Sequence, residues 1–153
     1  MDAKQIKEAI GRCRSPEALR EIVEACRARQ DELRKRAQEQ LAHAIEQAWL
    51  SVRGSKPGHV AVVFNGAEIN MGVAGAGQRR AQNRRVHLAA GTILLVHAVQ
   101  PRAKRAWLRN DSSGEHYAMT PRELGLLEVR AFRDELTAQV ALVQRGLPAG
   151  ASA

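Results

Sequence analysis

Apolar positions in the first third of the chain recur at alternating intervals of three and four. Leu19, Val23, Cys26, Leu33, Ala37, Leu41, Ala44 or Ile45, and Ala48 form a stripe between charged faces, with Gln30 interrupting one seam position. This is the pattern of a helix that buries one seam against a partner. No Gly or Pro occurs after Pro16 until Gly54. The stripe therefore predicts one helix over residues 16–53, roughly 55 Å long. Ser15 is placed to cap it, and Pro16 suits the first helical position. A shorter helix is expected over residues 2–13, with Ile6 and Ile10 on one face. A helix this long and this charged needs something to pack on: the first helix, the C-terminal helix or a second copy. The regular seam favours a second copy. Leu19, Val23, Cys26, Leu33, Ala37 and Leu41 are then the expected homodimer contacts.

The periodicity changes after the breaker Gly54-Ser55-Lys56-Pro57-Gly58. Residues 59–64 read as a strand, Asn65-Gly66 as a hairpin turn, and residues 67–73 as the returning strand. Residues 74–85 (AGAGQRRAQNRR) lack periodicity and read as a basic loop, followed by a short strand over 86–88. Gly91 introduces a near-continuous apolar strand over 92–99. A turn around Pro101, a strand over 105–110, a turn at 111–114 and a strand over 116–119 follow. Thr120-Pro121-Arg122-Glu123 has the form of a capping box. Beyond it, either one helix runs from Pro121 to Gln144, or a single turn precedes a strand over 126–129 and a separate helix. Gly125 tilts the reading towards the break. Gly146 and Pro148 end the helix in both.

Short strands with turn signals every 8–12 residues predict a small antiparallel barrel or bent sheet. The order of strands and turns over residues 58–130 resembles an SH3-like small barrel, and with the coiled-coil-like helical arm before it and the helix after it the expected class is α+β. The expected organisation is a helical arm over 1–53, a small basic β-domain over 54–130, a C-terminal helix over 131–146 and a disordered tail over 147–153.

Charge sharpens the picture. The net charge is +8, and residues 54–110 hold nine basic side chains against the single acid Glu68. Lys56 stands apart from two clusters. Arg79, Arg80, Arg84 and Arg85 share the loop with Gln78, Gln82 and Asn83, a composition suited to phosphates and base edges. Arg102, Lys104, Arg105 and Arg109 surround Trp107. Period-two alternation in a strand puts Arg105, Trp107 and Arg109 on one face and Ala106 and Leu108 in the core. An indole between two guanidiniums is a stacking plate flanked by phosphate contacts. A register shifted by one would instead bury the Trp, the commoner place for that side chain.

Other chemistry is poorly represented. Gly72, Gly75 and Gly77 are not followed by Gly-Lys-Ser/Thr, so no nucleotide loop is expected. The histidines at 43, 59, 87, 97 and 116 have no metal-ligand spacing, and His97 reads as a core or edge histidine. Cys13 and Cys26 read as reduced thiols. No metal, cofactor or catalytic residue is expected, because convergent carboxylates are missing. No apolar run of about 18 residues exists, and the first residues do not form a signal peptide, so a cytoplasmic protein with no membrane partner is expected.

The sequence thus predicts a dimeric nucleic-acid-binding accessory or regulatory protein, with DNA favoured over RNA because paired basic modules suit a duplex. The main alternative is an inhibitor or adaptor docking on a larger protein complex. A metal-independent ribonuclease is a further one.

Overall fold

The computed structural model describes residues 2–12 and 15–148. Cys13 and residues 149–153 of the expected tail lie outside them. The chain divides into two compact units, Met1–Gln40 and Leu41–Ala153.

The first unit comprises helix α1 (Ala3–Arg12) and the N-terminal part of α2 (Pro16–Arg53). Asp2 and Gln5 satisfy each other's backbone N–H groups at the start of α1. The Ser15 hydroxyl accepts the Ala18 N–H at 3.1 Å and caps α2. Ile6 and Ala9 of α1 share a groove with Ile22, Ala25, Cys26 and Leu33 of α2. It is thus Ala9, rather than the exposed Ile10, that joins Ile6 on the inner face. None of the described residues up to Gln40 is fully buried. Leu19, Val23 and Leu33 stay exposed, Leu33 at 50%.

The second unit begins inside α2. Ala48 and Val52 have no exposed surface and belong to the main core, with Trp49 packed beside them. The helical region therefore does not separate at Arg53 as expected; its last turns are core elements of the sheet domain. Seven strands follow among the described residues: β1 (Val60–Val63), β2 (Ala67–Ala74), β3 (Gln82–Leu88), β4 (Ile93–Gln100), β5 (Arg105–Arg109), β6 (His116–Met119) and β7 (Val129–Phe132). Helix α3 (Pro121–Leu126) precedes β7, and α4 (Glu135–Gln144) follows it. All pairings are antiparallel, in the order β3-β2-β6-β5-β4-β1-β7. Strands β3 and β7 are free edges, so the sheet is open and the barrel expected from the strand order does not close.

Three further expectations change. Asn65-Gly66 is not a hairpin turn. β1 pairs with β4 and β7, while β2 pairs with β3 and β6. Gly66 instead makes a corner: a Cβ there would sit 2.5 Å from the Ala90 nitrogen. The Asn65 side chain donates to the Leu126 carbonyl at 2.9 Å. Secondly, the basic loop is shorter than expected, because Gln82–Arg85 continue β3 against Met71–Val73 and Asn70 of β2. Thirdly, residues 121–146 follow the turn, strand and helix alternative, but the strand lies three residues later than expected. Glu123 accepts the Thr120 N–H at 2.5 Å, which is the reciprocal half of the capping box. Gly125 does not break α3. It is buried within it.

Each face of the sheet has its own partner. Ala61 and Val63 join the main core with Leu94, Leu108, Met119, Leu124 and the end of α2. Val60 and Val62 point the other way, to Ala138 and Leu142 of α4. Burial on both faces explains the unbroken apolar run in β1. Helix α4 packs on β1 and β7. The same sheet face continues across β5, β6 and β2.

Candidate functional site

Strand β5 sets the geometry of that face. Ala106 and Leu108 are fully buried, which fixes the register and turns Arg105, Trp107 and Arg109 outward. The expected alternation is therefore present, with Trp107 half-buried. Across the ladder, Trp107 faces Ala98 of β4 and Ala118 of β6, and Arg109 faces His116. Gly72 and Ala74 of β2 extend the row opposite Ala118 and His116. Small residues thus lie on both sides of the indole.

A bulge in β4 completes the site. The pairing with β5 slips between Val96 and Ala98, leaving His97 as the extra residue. Bulges re-aim a side chain at the cost of local pairing. Here the His97 ring meets His116 edge to face, 4.7 Å between centroids. His97 is exposed rather than a core histidine. A hollow of about 440 Å³ is lined by Ala74, Gln78, Arg79, His97, Ala98, Gln100, Trp107 and His116. A second of about 200 Å³, lined by Gly72, Ala81, Asn83, Arg105, Ala118, Thr120 and Glu123, occupies the same face.

The connection between β2 and β3 folds back over this face. The Gln78 side chain accepts the Gly75 N–H at 2.9 Å, while the Gln78 N–H donates to the Gly75 carbonyl. Ala81 is brought so close that a Cβ on Gly72 would lie 3.3 Å from its methyl. Arg79 consequently borders the hollow, and Arg80 is exposed beside it.

The two expected arginine clusters do not survive as drawn. Arg84 and Arg85 are neighbours in a strand and point to opposite faces. Arg84 pairs with Glu115, and Arg85 with Glu68 at 3.0 Å. Arg109 is ion-paired with Asp111. Arg79, Arg80, Arg102, Lys104 and Arg105 have no carboxylate within salt-bridge distance among the described residues. Arg102 and Lys104 are exposed in the β4–β5 turn. The sequence grouped Gln78 with the arginine loop, but it gave no sign that His97, His116 and Gln100 join it at one hollow. Nothing in the apolar run of β4 signals a bulge. Among the described residues, no group of three His, Cys, Asp or Glu is placed to hold a metal ion. No helix of the described chain is long and apolar enough to cross a membrane.

Burial, the adjacent His97 and the Arg109 guanidinium hold the His116 imidazole below the ordinary histidine value of 6.5. Below that value the unfolded chain binds a proton that the folded one resists, so stability is lost as pH falls through 6.5. His116→Gln removes this proton linkage. Between about pH 7.5 and pH 5.5 the wild type should lose more melting temperature than the variant. Equal losses would mean that His116 is not strained towards its neutral form.

No family model matches the chain, and neither a curated protein nor a solved structure does.

Proposed function

We propose that this chain is a nucleic-acid-binding accessory or regulatory protein whose contact surface is the outer face of β5, β6 and β2. One observation carries the reading: Arg79, with no carboxylate partner among the described residues, borders a hollow in which an indole is half-exposed, and four more such cations, Arg80, Arg102, Lys104 and Arg105, are exposed in the neighbouring loop, turn and strand. Ion-paired arginines are already neutralised, whereas unpaired ones are available to phosphates. The test is a titration of the wild type with nucleic acid at several salt concentrations. Affinity should fall linearly on a log–log plot, by about 0.7 to 0.9 in slope per phosphate contact. Absent or salt-insensitive binding removes the reading.

Dimerisation through the first unit belongs to the same proposal. Its support is the absence of any fully buried residue among the described residues up to Gln40, together with exposed Leu19, Val23 and Leu33. A helical pair with so little buried surface gains stability from a second copy. Leu33→Asp puts a charge into that apolar surface and should convert a dimer to a monomer in sedimentation at micromolar concentration. A monomeric wild type would defeat this part.

A second reading, docking on another protein, has its own support. Leu136, Val140 and Val143 form an exposed apolar stripe along α4, at 73%, 49% and 65%. In that case the free protein should show no salt-dependent affinity for nucleic acid of random sequence.

A further inference from the structure

The geometry points to a single strand, rather than a duplex, as the occupant of the Trp107 hollow. We infer that one unpaired base enters it and stacks on the indole, while neighbouring phosphates meet Arg79 and Arg105. This rests on the nucleic-acid reading above and narrows it.

The shape of the face carries the argument. The buried neighbours Ala106 and Leu108 fix the register of β5, so the side of the sheet on which Trp107 stands is set by the core rather than by the ligand. Its cross-strand neighbours, Ala98 and Ala118, carry only methyl groups. They leave room beside the ring that a larger side chain would fill. Bases in a duplex are already stacked on each other, and their faces are closed to an indole. An unpaired base offers its face to any aromatic plate. Recognition of a duplex through its major groove needs a helix or a two-stranded ribbon that enters the groove. Here α4 sits over β1 and β7, and α3 lies against β2 and β6 on the core side. Neither covers the hollow, which is a depression rather than a protrusion.

The polar lining fits the same occupant. Gln78 and Gln100 line the hollow with amide groups able to reach base edges. Arg79 borders this hollow, and Arg105 borders the adjoining one beyond Trp107. Neither has a carboxylate partner among the described residues. A strand passing over Trp107 therefore meets a cation on each side of the base. Duplex binding by charge alone would use the same cations and leave the hollow empty.

The test compares oligo(U), oligo(dT) and a mixed-sequence DNA duplex at one salt concentration, by fluorescence anisotropy of labelled probes. Two variants accompany the wild type. Trp107→Ala removes the plate, and Ala98→Leu fills the space beside it without changing charge. At least one single strand should bind more tightly than the duplex, and the difference between oligo(U) and oligo(dT) reports on the 2′-hydroxyl. Each variant should lower single-strand affinity by about 5- to 150-fold, the usual worth of one base stack, with duplex affinity unchanged. In a Trp49→Phe background, Trp107 emission should be quenched by the single strand alone. If Trp107→Ala fails to fold, Ala98→Leu and the quenching still decide. Tighter duplex binding, or single-strand affinity retained in Ala98→Leu, overturns the inference while leaving nucleic-acid binding intact. No salt-dependent binding to any of the three probes overturns both.

Discussion

Gly125→Val should lower the melting temperature of the sheet unit by about 10 °C or more. The cause is a backbone contact between two helices. A Cβ on Gly125 would lie 2.6 Å from the Ile45 Cα, 2.6 Å from its Cγ1 and 2.8 Å from its nitrogen. Two of these three atoms are main chain, so no rotamer change relieves the clash. α3 must move off the last turns of α2, and Leu124 and Leu127, both fully buried, move with it. Overpacking of this kind costs about 3 kcal/mol or more, which is about 10 °C for a unit of this size. Gly54→Ala is the matched control. A Cβ there meets nothing nearer than the Leu50 carbonyl at 3.9 Å, so its effect should stay within about 0.5 kcal/mol. Thermal melting followed by circular dichroism reads both. A Gly125→Val protein melting within about 2 °C of wild type would show that the helices are not held at this distance.

The same glycine shows where the sequence stops being informative. Within residues 121–146 it was legible as a break signal, and a turn, a strand and a helix do follow one another there. Its role inside α3, against Ile45, depends on a contact 80 residues away in the chain and leaves no local trace. Strand β5 was legible to within one residue at its end, because Ala106 and Leu108 alternate with polar or amphipathic neighbours in a strand buried on one face. β3 was not. Of its seven residues only Val86 and Leu88 are buried. An edge strand pairs on one side only, so Gln82–Arg85 need no apolar alternation. The Asn65-Gly66 signal was misread for a related reason. Local turn chemistry gives a reversal of the chain, but which strand lies alongside is decided by packing. β1 is taken by β4 and β7, which pair with both of its edges. Of the candidate site, Trp107, Arg105 and Arg109 could be grouped from spacing alone. The hollow could not, since it needs the bulge at His97 and the fold-back of residues 75–81.

That regrouping gives the prediction with the largest effect on binding. Replacing Arg79, Arg80, Arg102, Lys104 and Arg105 together by Ala should abolish most nucleic-acid affinity, whereas Arg84→Ala with Arg85→Ala should change it little. Sequence alone put Arg84 and Arg85 in one patch with Arg79 and Arg80. In the fold, Arg84 and Arg85 point to opposite faces and are engaged by Glu115 and Glu68. The five cations of the first set lack such partners among the described residues, and all five are exposed, four in loops or turns and Arg105 at a strand end. Surface substitutions of this kind leave stability nearly unchanged. If each cation meets one phosphate of a single strand, losing all five flattens the salt slope by about 3.5 and lowers affinity about a thousandfold near 0.1 M salt. The double variant loses two exposed ion pairs, worth at most about 1 kcal/mol each in stability, and should keep both slope and affinity. Titrations of the three proteins over a salt series decide between the sequence-based grouping and the structural one. An equal loss of slope in the double variant would place the contact surface on β3 and return the site to the expected arginine cluster.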